Sequence, residues 1–192
     1  MIDPLESKTP LDVAIIGGGP AGCSTALALA RHGHRCLVVE KSAYADIRVG
    51  ETLPPAVRRL LVDLGVWGRF VAAGFVQAHV ICAVWGADHA HENAAIFDPY
   101  GAGWHVDRQR FDRLLAQAAV DAGVSLALGS RVTSSDADAS GVWRLSIDRQ
   151  TPLASTSNDV TRDSSAELTP AATAACASSR SNRCRSTCHP AP

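Results

Sequence analysis

Lysine is scarce in this chain: of 192 residues only Lys8 and Lys41 supply it, and none follows position 41. Aromatic residues make up 5% and methionine occurs once. Neither sign of charge dominates, the net charge being −1, so nothing in the composition favours a nucleic-acid partner. An uninterrupted apolar span is also missing. The apolar stretch 13–30 holds Gly17, Gly18, Gly19, Pro20 and Gly22, which divide it into a strand and a helix and exclude a membrane-spanning reading. Residues 1–10 contain acids and no apolar core, so they read as an amino-terminal extension and not as a secretory signal. Six cysteines are present, yet Cys184-Arg-Ser-Thr-Cys188-His189, with Cys176 upstream, matches no strong zinc spacing, and no metal site is expected. Cys23, Cys36 and Cys82 fall in segments that read as buried, where a free thiol behaves as a small hydrophobe. A soluble protein in the cytoplasm is the simplest expectation.

What the chain does have is a complete unit between Asp12 and Glu40: an apolar strand, a glycine turn, a helix of small residues, and a second strand ending on a carboxylate. The spacing Gly17-x-Gly19-x-x-Gly22 in that context marks a dinucleotide-binding turn in a Rossmann-like α/β fold with a parallel sheet. Gly17 turns the chain off the strand, and Gly19, lacking a Cβ, lets the backbone approach a diphosphate. Gly22, with Ala26 and Ala30, keeps the helix face thin enough to lie close on the sheet. Pro20 suits the first helical position, and the helix's free N–H groups face the phosphates. Glu40 sits where a carboxylate accepts hydrogen bonds from a ribose and repels a 2′-phosphate, which leaves FAD or NAD rather than NADP.

Beyond this unit, residues 56–64 form a helix with Val57, Leu60, Leu61 and Leu64 on one face, stopped by Gly65, and a short helix follows over 66–72. Residues 75–86 and 94–97 read as strands of an added antiparallel sheet, spanning about 75–100. Asp107 is the expected N-cap of a helix over 108–122 that buries Phe111, Leu114, Leu115 and Ala118, and Gly123 stops it. Residues 124–128 return to the parallel sheet. Residues 142–148 alternate Trp143, Leu145 and Ile147 inward, giving a half-buried strand in need of a partner.

Three blocks carry a resemblance: Gly17-Gly-Gly-Pro-Ala-Gly22 with Val39-Glu-Lys41, then Ile47-Arg-Val-Gly-Glu-Thr-Leu-Pro-Pro55, and Asp98-Pro-Tyr-Gly-Ala-Gly-Trp-His-Val-Asp-Arg-Gln-Arg-Phe-Asp112. Residues 11–148 resemble the FAD-dependent monooxygenase and halogenase superfamily with the hydroxybenzoate-hydroxylase fold, most of all its tryptophan-halogenase-like branch. That branch includes flavoproteins that mature quinone cofactors. The resemblance implies FAD as cofactor, a small-molecule substrate and a flavin reductant. It implies that Gly17, Gly19, Pro20, Ala21 and Gly22 hold the diphosphate, and that Glu40 and Lys41 flank the adenosine ribose. Arg48 and Arg108 would approach the phosphate or ribityl region, and Gly50 and Glu51 would shape the loop beside the flavin ring. An arginine's planar fork suits phosphate oxygens; the alternative for each is a salt bridge. Arg108 at a helix start opposes the helix dipole, a placement that a nearby anion would resolve. An NAD-binding module is disfavoured, because the Arg48–Glu51 run stands where its next strand–helix repeat would begin.

The resemblance also implies that reduced flavin and oxygen either hydroxylate an electron-rich substrate or oxidise halide. Halogenases of this kind use a lysine between the Gly-Glu segment and the following sheet, and this chain has none after Lys41. Weight moves to a hydroxylase, a dehydrogenase-like flavoprotein or a quinone-cofactor maturase. No catalytic residue is assigned. His105, just before Arg108 and near the expected flavin region, is the acid/base candidate, although a histidine bonded to a loop carbonyl is the simpler reading; His79, His89 and His91 read as structural or solvated, and Trp85 and Trp104 as core or pocket wall.

Residues 11–150 are therefore expected to be a partial FAD-binding domain. From 151 to 192 the chain turns to Ser, Thr, Ala, Pro, Arg and Cys, with no aromatic, isoleucine or methionine. Such a tail buries too little apolar surface to offset about 1–2 kcal/mol of backbone entropy per residue, so disorder is expected there. The abrupt change suggests a frame shift or truncation near 148–151. That leaves two expectations, the inherited cofactor half of an FAD-dependent oxidoreductase or a catalytically inactive nucleotide-binding fragment.

Overall fold

Cys36–Glu40 is apolar without alternation because both of its faces are covered: all five residues are buried in the computed structural model of the chain. The structure describes residues 11–50, 52–84, 91–95, 98–149, 164–168 and 175–176. Along the chain these form β1 (Val13–Ile16), α1 (Pro20–Arg31), β2 (Cys36–Glu40), β3 (Thr52–Leu53), α2 (Val57–Asp63), α3 (Trp67–Ala72), β4 (Val76–Ala78), β5 (Val80–Ala83), β6 (His91–Ala94) and β7 (Gly103–His105). There follow α4 (Arg108–Asp121), β8 (Ser125–Leu128), β9 (Ser130–Ala137), β10 (Trp143–Arg149), β11 (Ser164–Leu168) and β12 (Ala175–Cys176).

The central sheet is parallel, in the order β12-β1-β2-β8. On one face, Ile15, Cys36 and Val38 pack with Cys23, Ala26 and Leu27 of α1 and with Phe111, Leu115 and Ala119 of α4. On the other, Ala14, Leu37, Val39 and Ala127 meet Leu145 and Ile147 of β10. The layers are helices, parallel sheet, antiparallel sheet. Helix α1 comes so close to the turn that a Cβ on Gly22 would lie 1.9 Å from the Gly17 carbonyl oxygen, which confirms a packing role for that glycine.

The strand over 142–148 has the partners that the sequence leaves unspecified. β9 pairs with it on one side and β11 on the other, both antiparallel, with a register shift between Ser146 and Ile147. β9 is hidden in the sequence because Ser130–Ala137 is mostly polar and exposed. Within 151–192 the described residues are two short strands, β11 beside β10 and β12 beside β1; their composition does not announce the pairing, and the remainder lies outside the described residues, the Cys184–His189 run included.

The inserted region also differs in detail. The run 75–86 is broken into β4 and β5, and β5 pairs with β6 at 91–94 rather than with a strand at 94–97, of which Ile96 and Phe97 lie outside the described residues. β4 pairs instead with β7, which joins β3. Cys23 and Cys36 are buried as expected, but Cys82 is exposed, because the β5–β6 ribbon leaves that face uncovered. Leu60, assigned to the inner face of α2, is 60% exposed, and Leu61 alone of the helix is buried. Among the described residues no helix is long and apolar enough to cross a membrane.

An aromatic cluster joins the helices to the β3-β7-β4 sheet. The fully buried Phe70 ring stacks on Trp67 at 5.5 Å between centroids and meets Phe75 at 4.9 Å, Trp104 at 5.3 Å and Phe111 at 5.9 Å. Truncating a ring with that many partners leaves a cavity its neighbours cannot fill. Phe70→Ala is expected to lower unfolding stability by about 3–5 kcal/mol in urea titrations, the largest loss for any single side chain in this cluster.

Candidate functional site

The turn between β1 and α1 is built around the Gly18 peptide. Gly17 has φ +106°, a conformation side chains rarely allow, and its N–H donates to Val39 O at 2.8 Å, anchoring the turn to β2. The Gly18 N–H donates to Glu40 Oε2 at 2.7 Å, and the Gly18 carbonyl accepts from the Tyr44 hydroxyl at 2.7 Å and the Cys23 thiol at 3.0 Å. A Cβ here would lie 2.5 Å from Tyr44 Oη, so Gly18, which the motif leaves unspecified, has no room for a side chain. At Gly19 the situation reverses: a Cβ would meet nothing within 4 Å. Gly19 is also the N-cap of α1, Pro20 is the first helical residue, and no side chain caps the helix. Ala21 is exposed. Free helical N–H groups beside an open position without a side chain suit an anion.

Glu40 has a duty the sequence does not show. It is 4% exposed, and its Oε1 accepts from the Ser42 N–H at 2.9 Å, the Ser42 hydroxyl at 2.6 Å and Arg48 Nη2 at 3.0 Å. With Oε2 on Gly18, the carboxylate is a brace for the turn before it is anything else. Burial alone would raise its pKa, but the hydrogen bonds from Ser42, Gly18 and Arg48 outweigh burial and hold it below the usual carboxylate value. Burial pushes the Cys23 thiol up to about 11 and the Tyr44 phenol higher still, so both remain protonated donors to Gly18. Tyr44 is held in turn by its backbone at φ +56° and by Arg113, whose Nη2 donates to its carbonyl at 2.7 Å.

Arg48 and Arg108 are brought together, 60 residues apart in sequence, by a carboxylate that sequence reasoning passed over. Asp112 is fully buried. Its Oδ1 accepts from Arg108 Nε at 3.1 Å, and its Oδ2 accepts from Arg108 Nη2 at 3.3 Å and Arg48 Nη1 at 3.4 Å. The anion that resolves Arg108's position against the helix dipole is thus internal, one turn further along α4. Asp107 caps that helix as expected, accepting from the Arg110 N–H at 3.1 Å. The signal for Asp112 was available: it falls beside Phe111 and before Leu115 on the buried stripe, where an acid needs a cationic partner.

Gly50 has φ +108°, and a Cβ there would lie 2.8 Å from Arg108 Nη1, which donates to Val49 O at 2.7 Å. A cleft of about 440 Å³ lies between this segment and the start of α4, lined by Ile47, Arg48, Val106, Asp107, Arg108 and Gln109. Lys41 is exposed and stands outside the network; Glu51, Trp85 and His89 lie outside the described residues. His105 is exposed, with Nδ1 3.4 Å from Thr52 Oγ1, and Trp104 belongs to the aromatic cluster. His79 is exposed.

Because the Glu40 carboxyl is held below 4.5 in the folded chain, its contribution to stability is full above that value and is lost as pH falls through the depressed one. Glu40→Gln is expected to cost about 1.5–3 kcal/mol at pH 7. Urea titrations of both proteins at decreasing pH are expected to show the gap between them closing on the acid side.

Comparison with known proteins supplies the family of the chain. Residues 10–155 match the family described as FAD binding domain. A 1H-pyrrole-2-carbonyl-[peptidyl-carrier protein] chlorinase of Pseudomonas fluorescens is 34% identical over 143 residues, covering 63% of this chain and 31% of the relative. A putative FAD-dependent oxidoreductase, LodB, of Marinomonas mediterranea is 32% identical over 115 residues, covering 58% of this chain and 31% of its own length. The crystal structure of CmlS, a flavin-dependent halogenase, superposes with a TM-score of 0.65 at 31% identity, covering 73% of this chain and 26% of that one. The chain therefore spans under a third of the length of these relatives. It belongs to the FAD binding domain family, within the superfamily of FAD-dependent monooxygenases and halogenases, whose cofactor is FAD.

Proposed function

We propose that this chain holds the adenosine diphosphate half of FAD on the Gly17–Gly22 turn and is the cofactor-binding part of a flavin-dependent oxidoreductase of the monooxygenase or halogenase type. The observation that carries the reading is the open space at Gly19 in front of an uncapped helix start, in a turn otherwise so tight that Gly18 and Gly22 tolerate no side chain. Diphosphate oxygens would accept from the N–H groups of Ala21 and Gly22, with Pro20 fixing the helix start. Arg48 and Arg108 would present donors along the cleft towards the phosphate and ribityl chain. Glu40 Oε2, engaged among the described residues by the Gly18 N–H alone, keeps acceptor capacity for a ribose hydroxyl, with Lys41 alongside. Gly50 and Glu51 would border the flavin ring.

FAD, when bound, supplies the electron transfer; this chain's residues bind and orient it. The expected partners are a small-molecule substrate and a flavin reductant, in the cytoplasm. Of the family's chemistries, the absence of lysine after Lys41 weighs against halide oxidation and for hydroxylation or another flavin-dependent oxidation. A second reading is a nucleotide-binding chain without redox turnover. The two differ in grip on the flavin itself: the first expects FAD to bind more tightly than ADP, the second expects equal affinities.

Gly19→Val tests ligand binding apart from folding, since a Cβ at this position meets nothing within 4 Å. Its thermal midpoint is expected to stay within about 2 °C of the parent, while FAD affinity, read by quenching of flavin fluorescence, falls by about a hundredfold or more. Equal FAD binding by the variant, or no saturable binding by the parent, overturns the proposal.

A further inference from the structure

We propose that Asp112 is a positioning residue that orients the guanidinium groups of Arg48 and Arg108 for a diphosphate ligand. This rests on the reading of the turn as the FAD site.

A carboxylate completely removed from water is an expensive way to stabilise a helix whose neighbouring inward residues are Phe111, Leu115 and Ala116. An apolar residue would pack there at lower cost. What the carboxylate does, and an apolar residue would not, is fix two forks from different segments in one orientation. Asp112 accepts from Arg108 through Nε and Nη2, a two-point contact that sets the plane of that guanidinium, and from Arg48 through Nη1. The far side of each fork is fixed as well. Arg48 Nη2 donates to Glu40 and Ser42, and Arg108 Nη1 donates to Val49 O.

Among the described residues, three hydrogen bonds on each arginine leave two of its five N–H donors unspent. Both side chains are still partly exposed, 25% for Arg48 and 18% for Arg108, and both line the 440 Å³ cleft. Ile47 and Val49, on either side of Arg48, are 91% and 93% exposed, so Arg48 alone of the three turns into the network. Through Glu40 the same network reaches the Gly18 N–H of the turn. The remaining donors therefore belong to two arginines of fixed orientation that line the cleft, and Arg48 is tied through Glu40 to the turn that is open for phosphate. Arginine recognises phosphate by the direction of its paired N–H groups as much as by charge, so what Asp112 contributes is geometry.

The test sets charge against orientation. Asp112→Asn removes a negative charge beside two arginines, which by electrostatics alone would strengthen binding of an anion. Orientation predicts the reverse. The dissociation constants of FAD and ADP, measured by fluorescence quenching and calorimetry on chains whose circular dichroism matches the parent, are expected to rise about tenfold. Arg108→Gln is expected to cost a similar factor, and the double variant Arg108→Gln with Asp112→Asn no more than the larger single loss, because both act through one contact. Unchanged or tighter binding by Asp112→Asn, or additive losses in the double variant, overturns the proposal. Should Asp112→Asn not fold, Arg108→Lys keeps the charge and loses the two-point contact; binding within twofold of the parent is then the overturning result. A parent chain that binds neither FAD nor ADP overturns the FAD reading and this inference together, whereas normal parent binding with an indifferent variant overturns this inference alone.

Discussion

Glu40 and Asp112 are carboxylates taken out of water, and the geometry of the site follows from the need to match them. Moving such a group into the interior costs several kcal/mol unless opposite charge and hydrogen bonds replace the water. Glu40 finds its match in a main-chain N–H of the turn, in Ser42 and in Arg48; Asp112 finds it in Arg48 and Arg108. Among the described residues no buried side-chain nitrogen or oxygen is left without a partner. Because Arg48 serves both acids, four separate pieces of chain become one object: the turn, the end of β2, the 42–50 segment and the first turn of α4.

The fold places these pieces within reach. In a parallel sheet all strands end on the same edge, so β1 delivers the turn and β2 delivers Glu40 side by side. Helix α4 packs against α1 over the same face of the sheet, which brings its amino-terminal arginine and acid to the edge where Glu40 emerges. The third layer, β9 to β11, covers the opposite face and takes no part in the network. Its contribution is to bury Leu37 and Val39 from behind, on the strand that presents the carboxylate.

The unit from Asp12 to Glu40 and the helix after Asp107 were legible in the sequence because each satisfies a local rule: glycine spacing after a buried strand, a capping acid before an apolar stripe. The same local rules miss what depends on distant chain. β9 is polar and largely exposed, so it carries no periodic signal, and only its pairing with β10 identifies it. Tyr44 supports the turn through a hydroxyl 26 residues from the glycine it holds, a relation no spacing encodes. Cys82 and Leu60 look buried by composition, yet the layers that would cover them are not laid over those faces. Glu40 was read for its ligand and found bracing the protein, since a motif records which residue is needed and not every bond it makes.

The pairing of two acids with two arginines has a kinetic consequence. Within the cluster of Glu40, Asp112, Arg48 and Arg108 the formal charges cancel, so these four side chains add no net charge to the surroundings of the turn. These four groups by themselves would steer a polyanionic cofactor less than a bare arginine pair would. An anion near this cluster would be met by fixed donors and the helix terminus at contact, and these four side chains add no net charge to draw it in.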